Sequence, residues 1–221
     1  MKTRDKIILA ALELFNEKGE RNVSTNHIAA HLSMSPGNLY YHFRNKSDII
    51  YEIFKNYELM VDAYMTVPKG RAIHIHDLIS YLDAVFNGLW TYRFLHRDLE
   101  HLIDNDERLQ TDYRQFTLRC LQGIQDIVLA MEASGIYRPM SDQQRKSKAL
   151  NTWLIVTNWM TYLKTIHEDE GDVRRNRKSI RHGVYLILDY VLPYLYEDKR
   201  ALAMELQENY RFDEVAPQLA V

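Results

Sequence analysis

Apolar residues recur at intervals of three and four along most of this chain of 221 residues, and only eight glycines and five prolines interrupt them. This spacing places apolar side chains on one face of a helix. The first stretch predicts a helix over residues 3–18, with Ile8, Ala11 and Phe15 on its buried face and Gly19 as its C-terminal stop. The pattern therefore predicts an all-α fold.

The same spacing predicts the later helices. We expect them over residues 47–64, 73–94, 97–103, 106–134, 142–167, 180–196 and 197–210. Asn105 is predicted to cap the long fourth of these, and Ser141 with Gln144 forms a capping box for the fifth. Pro193 lacks the N–H that a continuous helix needs, so we expect a kink or a new segment at that position.

Residues 24–43 predict two short helices joined by a tight turn. Ser24 and Ser35 can each cap one helix with a hydroxyl group, and Pro36 suits a first helical position because its missing N–H would be unpaired there. Leu39 and Phe43, four residues apart, are predicted to point into the core. The residues of the second helix that then face outward are Gly37, Asn38, Tyr40, Tyr41 and His42. A helix-turn-helix of this kind can place its second helix in the major groove of DNA.

The run of residues 39–43, followed by Lys46, makes the motif more specific. It resembles the DNA-binding domain of the tetracycline-repressor (TetR) family of bacterial transcription regulators, and the resemblance extends over residues 4–50. Two positions depart from the family pattern: Ser33 stands at the turn, where the family usually has glycine, and Glu20 stands where the family tends to have an aromatic residue. If the backbone at Ser33 is left-handed, its side chain costs on the order of 1 kcal/mol.

Nine residues of this motif are predicted to bind DNA. Asn38 and Tyr41 are the predicted base readers, because an Asn amide can pair with both N6 and N7 of adenine. Small residues at the start of the second helix allow a close approach to DNA, and polar residues around it suit phosphate contacts. The first group is Ser35, Pro36 and Gly37, and the second is Thr25, Tyr40, His42 and Lys46. The alternative is a helical hairpin in which the tyrosines and the histidine only pack.

The net charge of −2 is unevenly distributed between the two parts of the chain. Residues 1–50 hold seven Lys/Arg against five Asp/Glu, whereas the remaining residues hold 21 against 25. The basic excess is small, so we expect affinity for DNA to depend on a few phosphate contacts and on dimer geometry.

The sequence also predicts where the protein is found. One cysteine excludes an intramolecular disulfide, and the first residues lack the cleavage site of a signal peptide. No apolar run could span a membrane, so we expect a cytoplasmic protein. The nine histidines lack the spacing of a recognisable metal site, so no metal or cofactor is predicted.

The resemblance implies what the rest of the chain does. It implies a DNA-binding domain over residues 1–48 and a helical ligand-binding and dimerisation domain over residues 49–212, and residues 213–221 are predicted to be a disordered tail. The two-fold dimer would form through residues 145–166 and 180–195. An apolar or aromatic effector would bind among aromatic residues, with Tyr92 or Asn158 as a polar contact. The candidate lining residues are Tyr64, Phe86, Trp90, Phe94, Phe116, Trp153 and Trp159. The alternatives are that these are core residues and that the chain is a monomer.

These features together predict a dimeric repressor that leaves a palindromic operator when a small molecule binds. The effector would swing the fourth helix and change the spacing between the two recognition helices. Two other classes remain open. One is a helical module that uses DNA as a platform and acts through a protein partner. The other is an enzyme with the aromatic pocket as its active site, although the sequence contains no catalytic constellation.

Overall fold

The structure is a computed structural model that describes residues 1–166 and 177–212. Within these residues it contains α-helices, two short 3-10 helices and one isolated antiparallel bridge between Tyr137 and Leu195. The α-helices are α1 (Thr3–Lys18), α2 (Thr25–His31), α3 (Pro36–His42), α4 (Lys46–Tyr64), α5 (Ile75–Thr91), α6 (Arg93–Arg97), α7 (Leu99–Asp104), α8 (Glu107–Ala133), α9 (Asp142–Ile166), α10 (Arg177–Val191) and α11 (Glu197–Glu208). The all-α prediction is confirmed, and the predicted tail 213–221 lies outside the described residues.

Several predicted helix ends are confirmed by side-chain caps. The Ser24 hydroxyl accepts a hydrogen bond from the backbone N–H of His27 (3.3 Å), and the Ser35 hydroxyl accepts one from Asn38 (3.2 Å). Ser141 forms the predicted capping box at the start of α9, where its hydroxyl accepts from the Gln144 N–H at 3.2 Å. Each cap satisfies a helix N–H that has no partner within the helix.

Other helix ends differ from the prediction. Asn105 does not cap α8, because its side chain donates to the carbonyl oxygen of His101 (2.7 Å). Asp106 is the cap instead, with one carboxylate oxygen accepting from the N–H groups of Arg108 (3.0 Å) and Leu109 (3.1 Å). The single helix predicted over residues 73–94 is divided into α5 and α6, and α10 ends before Pro193 in a 3-10 turn (Leu192–Tyr194).

Contacts divide the chain into two units. The first unit comprises Met1–Met60 and Tyr92–Phe116. Its core holds the apolar faces of α1 to α4, and α6 docks on α1: the Asn16 side chain accepts from the Phe94 N–H (3.1 Å), and the Arg97 guanidinium donates to the Phe15 carbonyl oxygen (2.8 Å). These two hydrogen bonds satisfy backbone groups at one end of each helix, so α6 and α1 hold each other in place.

The second unit comprises Val61–Thr91 and Thr117–Val221. Its core is formed by buried side chains of α5, α8, α9 and α10. Gly183 of α10 lies directly against the Phe86 ring of α5, so that an added β-carbon would overlap the ring. The buried indole of Trp159 donates to the Ser179 carbonyl oxygen (3.0 Å), which fixes α9 to the start of α10. The domain boundary predicted after residue 48 stays a prediction.

Candidate nucleic-acid interface

The helix-turn-helix is held together by small and branched apolar side chains. Ile28 and Ala29 of α2 and Leu39 of α3 are almost completely buried, and Phe43 closes the same core behind α3. The turn between the helices contains Ser33, which has a φ of 52°. The backbone at Ser33 is therefore left-handed, and the steric cost expected for a side chain in that conformation applies to this turn.

One face of α3 takes little part in the core. Gly37, Asn38, Tyr40 and Tyr41 are exposed, and Tyr41 is 85% exposed, the largest value among the exposed large apolar and aromatic side chains of the described residues. His42 is half-buried, and its ring meets that of Tyr41 edge-on at 5.1 Å. Both predicted base readers therefore lie on the exposed face.

The start of α3 is open to an approaching ligand. Ser35, Pro36 and Gly37 are exposed, and the nearest atom to a β-carbon placed at Gly37 would be the Ser35 hydroxyl, at 4.0 Å. The side chains at this end of α3 are therefore small and exposed.

Three of the four predicted phosphate contacts, Thr25, Tyr40 and Lys46, line an open groove beside α3, and His42 is not among its lining residues. The Thr25 and Tyr40 hydroxyl groups are 3.0 Å apart and share a hydrogen bond, so the structure brings these two residues together. The groove also contains basic residues that the prediction omitted. Its lining residues are Arg21, Asn22, Val23, Ser24, Thr25, His27, Tyr40, Arg44, Asn45 and Lys46. Arg21 and Arg44 flank the motif in the sequence, and that position at its two ends was the signal that could have identified them.

Lys46 lines the groove but is already paired. Its ammonium lies 2.6 Å from a carboxylate oxygen of Glu20 and donates to the Glu20 backbone carbonyl oxygen at 3.1 Å. Glu20 is only 3% exposed. The sequence prediction treated Lys46 as a free cation and Glu20 as a packing detail, because 26 positions separate the two residues.

The eight proposed effector-site residues are divided between the two units. Phe94 and Phe116 belong to the first unit. The centre of the Phe94 ring lies 5.1 Å from that of Phe15, and the centre of the Phe116 ring lies 5.5 Å from that of Tyr57. The other six belong to the second unit, in different surroundings. Phe86 and Trp159 are buried in its core, Trp90 and Trp153 are half-buried, and Tyr64 and Asn158 are exposed. Helical periodicity identifies a buried face, but it does not separate core residues from the lining of a cavity.

Residues 1–166 and 177–212 contain no group of three or more His, Cys, Asp or Glu side chains that could hold a metal ion. No helix within the same ranges is long and apolar enough to cross a membrane.

Two sequence models of one protein family match the chain. Residues 7–53 match the model described as bacterial regulatory proteins of the tetR family, and residues 56–202 match the one described as bacterial transcriptional repressor. The chain belongs to the TetR family. The TetR-family resemblance of the helix-turn-helix is thereby confirmed, and it extends to the carboxy-terminal helices.

Solved structures and curated relatives agree with this assignment. A TetR-family transcriptional regulator from Marinobacter aquaeolei VT8 is 53% identical, with a TM-score of 0.89 over 96% of this chain and 100% of that one. An HTH-type transcriptional regulator of Staphylococcus aureus (strain bovine RF122 / ET3-1) is 38% identical over 104 residues, which are 47% of this chain and 55% of the relative. The chain spans about half the length of the first curated relatives it matches.

A third similarity concerns the TetR fold alone. A transcriptional regulator from Saccharomonospora viridis, described as a complex with choline, is 20% identical, with a TM-score of 0.65 over 85% of this chain and 94% of that one.

Proposed function

We propose that the protein is a transcriptional repressor that binds a palindromic operator as a homodimer and leaves it when a small molecule binds. The observation that carries this proposal is the exposed face of α3, with Asn38 and Tyr41, next to a groove lined by Arg21, Arg44 and Lys46. A polar helix face beside a basic groove matches the division of labour in DNA-binding proteins, where base edges specify and phosphates position.

The proposed base readers are Asn38 and Tyr41. Both side chains are exposed, and neither belongs to the buried core that holds α2 against α3. An Asn amide can pair with adenine, and a tyrosine ring can contact the methyl group of thymine. His42 is half-buried next to Tyr41, and its proposed role is a phosphate contact.

The proposed phosphate contacts other than His42 lie along the groove. Thr25 and Tyr40 present two hydrogen-bonded hydroxyl groups, and Arg21 and Arg44 add charge that the sequence prediction did not include. Each phosphate that a basic side chain neutralises releases counterions, so binding weakens steeply as salt is added.

The proposed dimer interface includes one face of α9. Leu150 and Leu154 are each 47% exposed, and because they are four positions apart they lie on the same side of the helix. A single helix-turn-helix reads a short site, whereas a two-fold dimer reads two half-sites in successive major grooves. Exposed apolar residues that adjoin one another on one helix face are typical of a surface that another protein covers.

The proposed effector is a small molecule bound in the second unit, where the half-buried rings of Trp90 and Trp153 are candidates for an apolar contact. The related Saccharomonospora viridis protein is described as a complex with choline, which supports a small-molecule ligand for this fold. We propose regulation rather than catalysis, and a site of action in the cytoplasm, where bacterial DNA lies.

The test is selection of bound duplexes from a random-sequence DNA library, followed by sequencing of the retained fraction. A palindromic consensus supports the proposal. Retention without a consensus supports the DNA-platform module instead, and no retention by ligand-free protein contradicts both.

Variants locate the readers within the same assay. Asn38→Ala and Tyr41→Ala are expected to relax the consensus at particular positions, by roughly 1–3 kcal/mol of discrimination for each lost contact. Tyr196→Ala is the matched control, because Tyr196 is also exposed (40%) but belongs to the second unit. An unchanged consensus in both Asn38→Ala and Tyr41→Ala would exclude these residues as readers.

A further inference from the structure

Glu20 is a buried carboxylate at the edge of the DNA-binding groove. It lies in the 3-10 turn Glu20–Asn22 between α1 and α2, and it is 3% exposed. A buried ionised carboxylate needs a nearby cation, because its transfer out of water costs several kcal/mol otherwise. The nearest ammonium is that of Lys46, 2.6 Å from one carboxylate oxygen.

The second carboxylate oxygen of Glu20 has no cation within hydrogen-bonding distance, so Lys46 is the main partner of the carboxylate. It is buried, and it accepts no hydrogen bond from any group in residues 1–166 and 177–212. His101 comes closest, with its Nε2 atom 3.8 Å away, beyond hydrogen-bonding distance. Both residues line a cavity of about 40 Å³ next to Ser47. The charge of Glu20 is therefore balanced mainly by the one lysine that also faces the groove.

The position of Lys46 lets it interact with both Glu20 and DNA. Two of its three N–H groups are used by Glu20, one by the carboxylate and one by the backbone carbonyl oxygen. The side chain is nevertheless 30% exposed and lines the groove together with Arg21 and Arg44. A phosphate bound in the groove would therefore lie close to the ion pair of Lys46 and Glu20.

We propose that Glu20 limits the affinity of the protein for DNA by neutralising Lys46 within the groove. This inference rests on the proposed function. A phosphate that approaches Lys46 meets an ion pair with no net charge, in place of a free cation. Lys46 then contributes little to counterion release, although it stands at the DNA surface. Glu20 acts through Lys46 and is a positioning and charge-tuning residue that does not itself touch DNA.

Glu20→Gln separates the charge of Glu20 from its geometry. The amide oxygen of Gln can still accept the Lys46 hydrogen bond, so the ammonium stays in place while the negative charge is removed. Binding to a fluorescein-labelled duplex of mixed sequence is then measured over a range of salt concentrations. The slope of log affinity against log salt concentration is expected to steepen by about 0.9 for each helix-turn-helix bound to the duplex. Binding at physiological salt is expected to be about fivefold tighter.

Two further variants make the result specific. Glu17→Gln removes the same charge from an exposed position on α1 of the same unit, and we expect little change in slope. Glu20→Gln combined with Lys46→Met removes both members of the pair, so its slope is expected to return to the wild-type value. A slope for Glu20→Gln that equals that of Glu17→Gln overturns the proposal. So does a steep slope that persists without Lys46.

The remaining outcomes are also decisive. Thermal unfolding is measured for each variant, and Glu20→Met, which fills the same buried position with an apolar side chain, is the second neutral variant if Gln disrupts folding. If neither neutral variant folds, Glu20 is required by the fold and the proposal is wrong. Wild-type protein that fails to bind the duplex at any salt concentration contradicts the proposed function, whereas a wild-type protein that binds with no response to Glu20→Gln contradicts this inference alone.

Discussion

At the scale of single residues, two side chains lie in energetically unfavourable positions, one in the first unit and one in the second unit. Ser33 has a left-handed backbone at the turn between α2 and α3. Lys148 is 4% exposed, and its ammonium makes no hydrogen bond within the described residues. Each position makes a prediction about stability that does not involve DNA.

Ser33→Gly is expected to stabilise the protein by about 0.5–1 kcal/mol. Glycine removes the steric cost of the left-handed backbone, which is on the order of 1 kcal/mol, although it also makes the unfolded chain more flexible. The measurement is the free energy of unfolding from urea denaturation.

The control for this prediction is Ser80→Gly, in the interior of α5. The same chemical change there is expected to lower stability, because glycine disfavours a helix. A loss of stability in both variants would show that the turn at Ser33 carries no strain.

Lys148→Met is expected to raise the unfolding free energy at pH 7 and to change its dependence on pH. The Lys148 ammonium lies 3.0 Å from the centre of the Tyr194 ring and 4.3 Å from that of Tyr190, so the two rings partly compensate for lost water. Burial still lowers the pKa of Lys148 from 10.5 to about 8. Between these two values the unfolded chain binds a proton that the folded chain does not, so wild-type stability rises with pH across that window.

The measurement is the unfolding free energy of wild type and variant between pH 7 and pH 9.5. The difference between them should shrink as the pH rises through about 8 and Lys148 loses its proton. Lys146→Met, at an exposed position of the same helix, should show no such trend. A difference that stays constant with pH would contradict a lowered pKa at Lys148.

At the scale of helices, the contact between α5 and α10 depends on the missing side chain of Gly183. Gly183→Ala is expected to destabilise the protein by about 1–3 kcal/mol or more, because the new methyl group would overlap the buried Phe86 ring. Calorimetric unfolding measures the loss. Phe86→Leu, combined with Gly183→Ala, should recover part of it by making room.

The control for this contact is Gly37→Ala in α3, where the nearest atom to the new carbon is 4.0 Å away. Alanine favours a helix over glycine, so stability should stay the same or rise. Equal losses at Gly37 and Gly183 would indicate a general effect of replacing glycine, and would exclude the specific contact.

The helices also show how far sequence reasoning extends. The caps at Ser24, Ser35 and Ser141 were predictable because a cap depends on residues three positions apart. The cap of α8 was assigned to Asn105 instead of Asp106 because both side chains can accept the same hydrogen bonds, and only the structure shows that Asn105 is occupied by His101. The pairing of Glu20 with Lys46 depends on the folded chain, so no local pattern predicts it.

At the scale of the whole molecule, the proposed dimer makes the arrangement of exposed leucines testable. Leu150→Glu combined with Leu154→Glu is expected to yield monomers, because charge would replace the apolar residues of α9 that a second copy is proposed to cover. Sedimentation velocity measures the change. The monomer should fold and should lose tight binding to a palindrome, since only one half-site can be occupied at a time.

The matched control is Leu118→Glu combined with Leu129→Glu on α8. These leucines are 53% and 52% exposed, so the pair makes the same chemical change at similar exposure outside the proposed interface. Dimers that survive the α9 changes, or that are lost equally in the α8 variant, would place the interface elsewhere.

The exposure of Tyr41 has a consequence for how such a protein diverges. The packing of α3 rests on Leu39 and Phe43, whereas Tyr41 is 85% exposed and Asn38 points away from the same core. Mutations at the two outward positions are therefore nearly free of selection for folding. After a gene duplication, one copy can drift to a new target sequence in a few single-codon steps, with each intermediate still folded and abundant in the cell.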